Sequence, residues 1–246
     1  MIVRGGQWAA DLQAQLPRGS LSQWMASDCR IVKRDSHSLV ALAELQQQLC
    51  YLKLYRPKSP LQRLAFRLGH GRAVAAFDHA LLLSARDIAV PTPLACLRVD
   101  DGLLLVTEGL AGASDLKSYW QARDSLLPLL PAAAESLALL HRTGFAHGDC
   151  KWSNLLWHDH RIYLVDLEAV TACAPASAAQ WRDLARFTVN AEDMGLPKTE
   201  YDNFLSPYCR HMGIERELVL ASMQAPLTRL RRRHESKYGE RGARLV

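Results

Sequence analysis

The run His147-Gly148-Asp149-Cys150-Lys151-Trp152-Ser153-Asn154, with Asp166 a short hairpin further on, constrains this chain more than any other stretch. It sets a carboxylate, a cation and a carboxamide in one tight loop, and such a loop needs fixed supports on both sides. Upstream, residues 132–140 form an apolar helical run that ends at His141-Arg142-Thr143-Gly144, with Gly144 as the stop. Downstream, Leu155-Leu156-Trp157 and Ile162-Tyr163-Leu164-Val165 read as two strands, turned by His158-Asp159-His160-Arg161. A hairpin brings its ends together, so Asn154 and Asp166 are predicted to be neighbours. An amide oxygen and a carboxylate there make two hard ligands for one Mg²⁺. Phosphoryl transfer from a nucleotide needs this set: a carboxylate for the hydroxyl proton, a cation on the phosphate, and metal ligands. Asn and Asp also open ordinary turns through bonds to their own backbone. The D-x-K-x-x-N spacing, the hairpin and the closing Asp together carry the chemical reading.

At these residues the chain resembles the protein-kinase-like superfamily, and most of all its bacterial lipopolysaccharide core kinases, which phosphorylate heptose or Kdo sugars. H-G-D-x-K-W-S-N-L-L is that branch's form of the catalytic loop, and the resemblance runs over about residues 31–187. It implies Asp149 as catalytic base, Lys151 on the transferred phosphate, and Asn154 and Asp166 on Mg²⁺, with His147 behind the loop. The usual D-F-G is here Asp166-Leu167-Glu168; without the glycine, this segment is expected to flip less. Trp181-Arg182-Asp183-Leu184-Ala185-Arg186-Phe187 matches the family's following segment, in which Asp183 would bond the loop backbone. A charge complementing a helix dipole is the plainer reading of Asp183. Glu168, Arg182 and Arg186 are placed either to reach a substrate or to form bracing ion pairs.

The nucleotide side resembles the same superfamily more loosely. Leu49-Cys50-Tyr51-Leu52-Lys53-Leu54-Tyr55 alternates like a strand, and Lys53 takes the place of the lysine that contacts the α and β phosphates. An outward residue on a half-buried sheet is the alternative. Residues 72–83 read as the helix that follows. Relatives carry Glu before its aromatic, where this chain has Ala76; Asp78, about 200° round the helix, is the candidate partner of Lys53, or else the ion pair is missing. No G-x-G-x-x-G is present. Ser36 and Ser38, in Lys33-Arg34-Asp35-Ser36-His37-Ser38, are the candidates to cover the phosphates. Ile88-Ala89-Val90-Pro91-Thr92-Pro93-Leu94 looks like the family's connection into a strand ending at Glu108, and the backbone near Glu108 and Leu110 would meet the adenine edge.

The resemblance thus implies an α+β, two-lobed protein-kinase-like fold. A small antiparallel-sheet lobe would take residues 1–108 and a mainly helical lobe residues 109–246, with the nucleotide between them. ATP and Mg²⁺ would be the cofactors and a heptose hydroxyl of the lipopolysaccharide inner core the acceptor. A Kdo kinase, a kinase for another small hydroxyl substrate, and a pseudokinase that binds without transferring phosphate are the alternatives. Lipopolysaccharide core oligosaccharide, or lipid A-core, is the implied partner; the oligomeric state is not fixed by the sequence.

Composition agrees with a sizeable core: 246 residues, 49% hydrophobic. No stretch approaches the roughly 20 apolar residues of a membrane span, and the first residues lack a signal-peptide apolar core. The six cysteines are scattered without C-x-x-C, as in a reduced compartment, and Cys150 is a spacer in the loop. These features point to the cytoplasm. The net charge of +5 is uneven: segments 56–72 and 229–244 are strongly basic. Both are either solvated faces or contacts to the inner face of the cytoplasmic membrane, peripheral in kind. Nucleic acid is not expected, since no helix-turn-helix, RNP or zinc-finger pattern occurs.

Overall fold

Strand segments within residues 2–4, 30–55 and 93–108 build an antiparallel sheet with both faces covered. In the computed structural model, which describes residues 1–17, 19–122, 126–239 and 242–246, the chain forms two units. The first comprises Met1–Ala85 and Val90–Ala111, the second Arg86–Ala89 and Gly112–Val246.

The first unit runs β1 (Ile2–Arg4), α1 (Gln7–Gln15), α2 (Leu21–Asp28), β2 (Arg30–Arg34), β3 (Ser38–Leu45), β4 (Gln48–Tyr55), α3 (Pro60–Arg67), α4 (Arg72–Ser84), β5 (Pro93–Val99) and β6 (Gly102–Glu108). Its six strands lie in the order β1-β5-β6-β4-β3-β2. Every neighbouring pair is antiparallel. The period of two sorts β4. Cys50, Leu52 and Leu54 enter the core beneath α1 and α2, with Ala9, Leu12, Leu21 and Met25. Tyr55 faces the other way, into a cluster with Phe66, Ala73 and Phe77 from α3 and α4. Lys53 shares that second face. It pairs with Val40 and Leu105 in mid-sheet, and its ammonium lies 4.9 Å from the Tyr55 ring centroid. The helices α1 and α2, which the sequence reading did not anticipate, are what close the opposite face.

The second unit contains β7 (Ser114–Asp115), α5 (Leu116–Gln121), α6 (Leu129–Arg142), β8 (Phe145–Ala146), β9 (Leu155–His158), β10 (Arg161–Leu164), β11 (Thr171–Ala172), α7 (Ala178–Asp193), α8 (Lys198–Met212) and α9 (Arg216–Tyr238). Its core is helical: α6 packs on α8 and α7 on α9. Phe187 stacks on Phe204 with centroids 3.8 Å apart, and Trp152, Tyr201 and Tyr208 are fully buried beside them. Fully burying an aromatic or leucine side chain contributes about 1.5–3 kcal/mol, so this cluster is a main source of the unit's stability. Arg86–Ala89 joins this unit because the Leu164 amide donates to Ala89 O at 2.9 Å and the Arg86 guanidinium lies over the Phe145 ring. Among the described residues no helix is long and apolar enough to cross a membrane.

Two basic stretches resolve differently. In α9, Arg231 turns inward and grips Glu192 through both guanidinium contacts, at 3.0 and 2.5 Å. Arg244 lies 3.7 Å from Glu235, and Lys237 sits over the Tyr238 ring. The expected basic face over 229–244 is therefore partly internal; Glu240 and Arg241 lie outside the described residues.

Candidate active site

The loop of residues 147–154 is built between three supports. Behind it, β8 pairs with β11 (Ala146 with Thr171, Phe145 with Ala172). Ahead of it, β9 and β10 form the hairpin, in register from Leu155 with Leu164 to His158 with Arg161. The hairpin turns on Asp159 and His160, both left-handed, as a two-residue turn requires. The Val165 amide donates to Asn154 O at 3.1 Å, so the hairpin's open end sets Asn154 beside the stretch that leads to Asp166. Asp166 itself is left-handed at φ 63° and ψ 50°, a conformation Asp tolerates better than most side chains. It redirects the chain straight out of β10.

Helix α7 is the third support. Asp183, 1% exposed, accepts from the His147 amide at 2.5 Å and the Gly148 amide at 3.0 Å. It is the sixth residue of α7, past the turn where a helix dipole favours an acid, so its bonds to the loop explain its burial. His141 stands behind it, Nε2 at 3.5 Å from Asp183 Oδ2, with Nδ1 2.7 Å from the Tyr208 hydroxyl. Asn190 Oδ1 accepts from the Trp152 amide at 3.1 Å, and Trp152 packs on Phe187. Asp183, Arg186 and Asn190 recur at i, i+3 and i+7, one face of the helix. Asn190 was missed from sequence, since α7 carries further polar residues and nothing in their spacing singles it out.

Asp149 is held from both sides. Lys151 Nζ lies 2.8 Å from its Oδ2, and Arg186 Nη1 is 3.2 Å from its Oδ1. Arg186 also donates to Gly148 O. Asn154, 4% exposed, donates Nδ2 to Asp149 O at 2.9 Å and to Oδ2 at 3.2 Å. With its nitrogen committed there, the amide of Asn154 keeps its oxygen for another partner. A hard amide oxygen beside a carboxylate-bearing stretch fits Mg²⁺ in donor chemistry. Cys150 is fully buried, and burial raises its thiol well above the ordinary range; it stays protonated and fills space.

His147 is fully buried. Its Nε2 lies 3.1 Å from Val165 O, a pure acceptor, so that nitrogen carries the proton. Nδ1 then accepts from the Asp149 amide at 3.3 Å. Burial lowers the His147 pKa, against the opposing pull of Asp183, Asp149 and Asp166, which agrees with the neutral ring these bonds demand. The sign for stability follows. A base whose folded pKa lies below its unfolded value of about 6.5 binds more protons when unfolded, so acid favours unfolding. Urea unfolding from pH 7.5 to 5 is therefore expected to lose up to about 1.4 kcal/mol more per pH unit in the wild type than in His147→Gln. Equal slopes would place the titration elsewhere.

In the first unit the candidates take other partners. Asp78 does not answer to Lys53: both its oxygens are on Arg4, at 2.8 Å from Nε and 3.1 Å from Nη2. The shift of about 200° relative to Ala76 turns it to the strand β1 instead. Asp35 organises the β2–β3 turn, accepting from the His37 and Ser38 amides at 2.8 and 2.7 Å and from the Ser38 hydroxyl at 2.7 Å. These bonds, the hydroxyl's first, lower its carboxyl to about 2. The Ser38 amide and hydroxyl thus both serve Asp35 within the turn. Glu108 fastens the end of β6: its amide donates to Thr92 O at 2.8 Å and its carboxylate accepts from the Thr92 hydroxyl at 2.8 Å. Its side chain is a brace, so any contact to a base would come from main chain.

A helix-supported loop with paired acid, cation and carboxamide in one unit, and an antiparallel sheet that carries a lysine in a middle strand in the other, define an α+β protein of protein-kinase-like fold. Residues 22–208 match the model of the lipopolysaccharide kinase (Kdo/WaaP) family, and the chain belongs to that family. The lipopolysaccharide core heptose(I) kinase WaaP of Pseudomonas aeruginosa is 32% identical over 123 residues, 43% of this chain and 46% of its own length. The chain thus aligns with less than half of that relative. A solved structure described as WaaP in complex with acyl carrier protein superposes with a TM-score of 0.61 at 21% identity, over 92% of this chain and 96% of that one. At that identity it speaks for the fold.

Proposed function

We propose that the protein transfers the γ-phosphoryl group of ATP to a sugar hydroxyl of the lipopolysaccharide inner core, with heptose as the sugar. The bracketing of Asp149 by Lys151, Arg186 and Asn154 carries this reading. Asp149 accepts the hydroxyl proton as that oxygen attacks the γ-phosphorus and the bond to the β-bridging oxygen breaks, releasing ADP. Lys151, already beside the base, offsets charge on the phosphoryl group in flight. Asn154 and Asp166 would hold Mg²⁺, which when bound neutralises charge on the nucleotide phosphates. Lys53 anchors the non-transferred phosphates. Most of the catalysis is positioning and electrostatics on a pre-set loop. The heptose assignment draws on the named activity of the 32%-identical relative. The acceptor is a lipid-anchored glycan met at the inner face of the cytoplasmic membrane.

The test is a mass shift of one phosphate on defined acceptors, with ATP and Mg²⁺. Core glycolipid carrying heptose is expected to be modified, and a heptose-free, Kdo-bearing acceptor not. Modification of the second alone would reassign the enzyme as a Kdo kinase. Magnesium-dependent nucleotide binding without turnover on either would leave a binding protein.

A further inference from the structure

Helix α3 turns its apolar stripe outward. Leu61, Leu64 and Leu68 stand at i, i+3 and i+7 and are 78%, 51% and 65% exposed. Phe66, the one buried residue of α3, anchors it from the other side, packed with Tyr55, Phe77 and Leu103. The anchor is tight: a Cβ at Gly71 would lie 2.8 Å from the Phe66 ring. Ser59 caps the helix, accepting from the Gln62 amide, and Pro60 opens it. So α3 is preformed, yet it buries one residue and presents three leucines. In globular proteins an amphipathic helix ordinarily packs that stripe on the core, and a contiguous exposed patch of this kind marks an interaction surface.

The cations around the stripe identify its partner. No acidic residue occurs from Arg56 to Arg72. Two of the five basic residues there serve the protein itself. Arg56 donates to the Ser22 hydroxyl, and Arg72 lies over the Tyr55 ring. Lys58, Arg63 and Arg67 are exposed on α3 or just before it. Three leucines and three cations on one short fixed helix and its immediate flanks need a surface that is apolar below and anionic above. A bilayer rich in anionic lipid supplies both, the acyl boundary for the leucines and the phosphates for the cations.

We infer that α3 docks the protein on an anionic membrane surface, with Leu61, Leu64 and Leu68 entering the acyl boundary and Lys58, Arg63 and Arg67 meeting lipid phosphates. This deepens the localisation proposed above, but it rests on a surface of the first unit and involves no catalysis. It is therefore tested without nucleotide or sugar acceptor.

The full chain is sedimented with vesicles of phosphatidylcholine, with and without phosphatidylglycerol. Binding is expected only with phosphatidylglycerol and weakens as salt rises. Changing all three leucines to serine is expected to lower partition on the order of a hundredfold. Lys58→Gln, Arg63→Gln and Arg67→Gln are each expected to lower it roughly fivefold. All six side chains are exposed, so melting should stay unchanged, which separates lost docking from lost folding. The proposal is overturned if the wild type ignores phosphatidylglycerol vesicles or if the triple-serine variant binds like the wild type. It is equally overturned if that variant instead converts a dimer to a monomer by light scattering, since a second copy would then own the stripe. Failure of phosphate transfer to a soluble acceptor, with vesicle binding intact, would count against the kinase reading alone.

Discussion

Asp149→Asn is expected to lower kcat by about a thousandfold while leaving the KM for ATP within a few-fold, the size of effect that loss of a positioned general base produces. The substitution preserves shape but keeps one acceptor oxygen, so it can accept from Lys151 or from Arg186, now 2.8 Å from Oδ2 and 3.2 Å from Oδ1, and not from both. It removes the capacity to take a proton together with the negative charge that the two cations face. Asp149 is about a third exposed, so the fold loses little, and melting serves as the control. The companion Lys151→Met should also reduce kcat, since it removes the cation beside the base. A turnover within tenfold of wild type in Asp149→Asn would displace Asp149 from the role of base.

The second large effect is structural. Asp183→Ala is expected to destabilise the protein by about 4 kcal/mol, since it orphans two buried amides, His147 and Gly148, at about 1–3 kcal/mol each. For a chain of this length that corresponds to a fall in Tm of roughly 10 °C. Asp183→Asn keeps one acceptor oxygen and should recover about half of it. Were Asp183 merely complementing a helix dipole, the loss would stay below about 1 kcal/mol, and calorimetry separates the two outcomes. Because the same amides hold the loop that carries Asp149, residual activity at low temperature should fall as well.

Much of this architecture was legible because it is local. The stop at Gly144, the hairpin over residues 155–164 and the strand through Lys53 follow from periodicity and turn chemistry within a few residues. The partner of Asp78 was not legible. Arg4 lies 74 residues away, and nothing in either local pattern announces the pair. The Asp35 turn was read through its serines, although the acid just before them is the stronger organiser of amides. Asn190 escaped assignment, and Arg186 stayed between a substrate contact and a bracing ion pair, because their roles depend on which face of α7 meets the loop, a tertiary fact. Arg231 looked like surface charge until its helix was seen to lie against Glu192.

Gly148 sets a limit of another kind. Its φ is 78°, and an added Cβ would come within 2.3 Å of the Ala169 carbonyl oxygen. The stretch bearing Asp149 and the stretch beginning at Asp166 therefore approach main chain to main chain, with no side chain as an adjustable spacer. Evolution can retune most active-site separations by trading one side chain for a slightly longer one. Here that dial is missing: any residue with a Cβ at position 148 would have to push the two stretches apart.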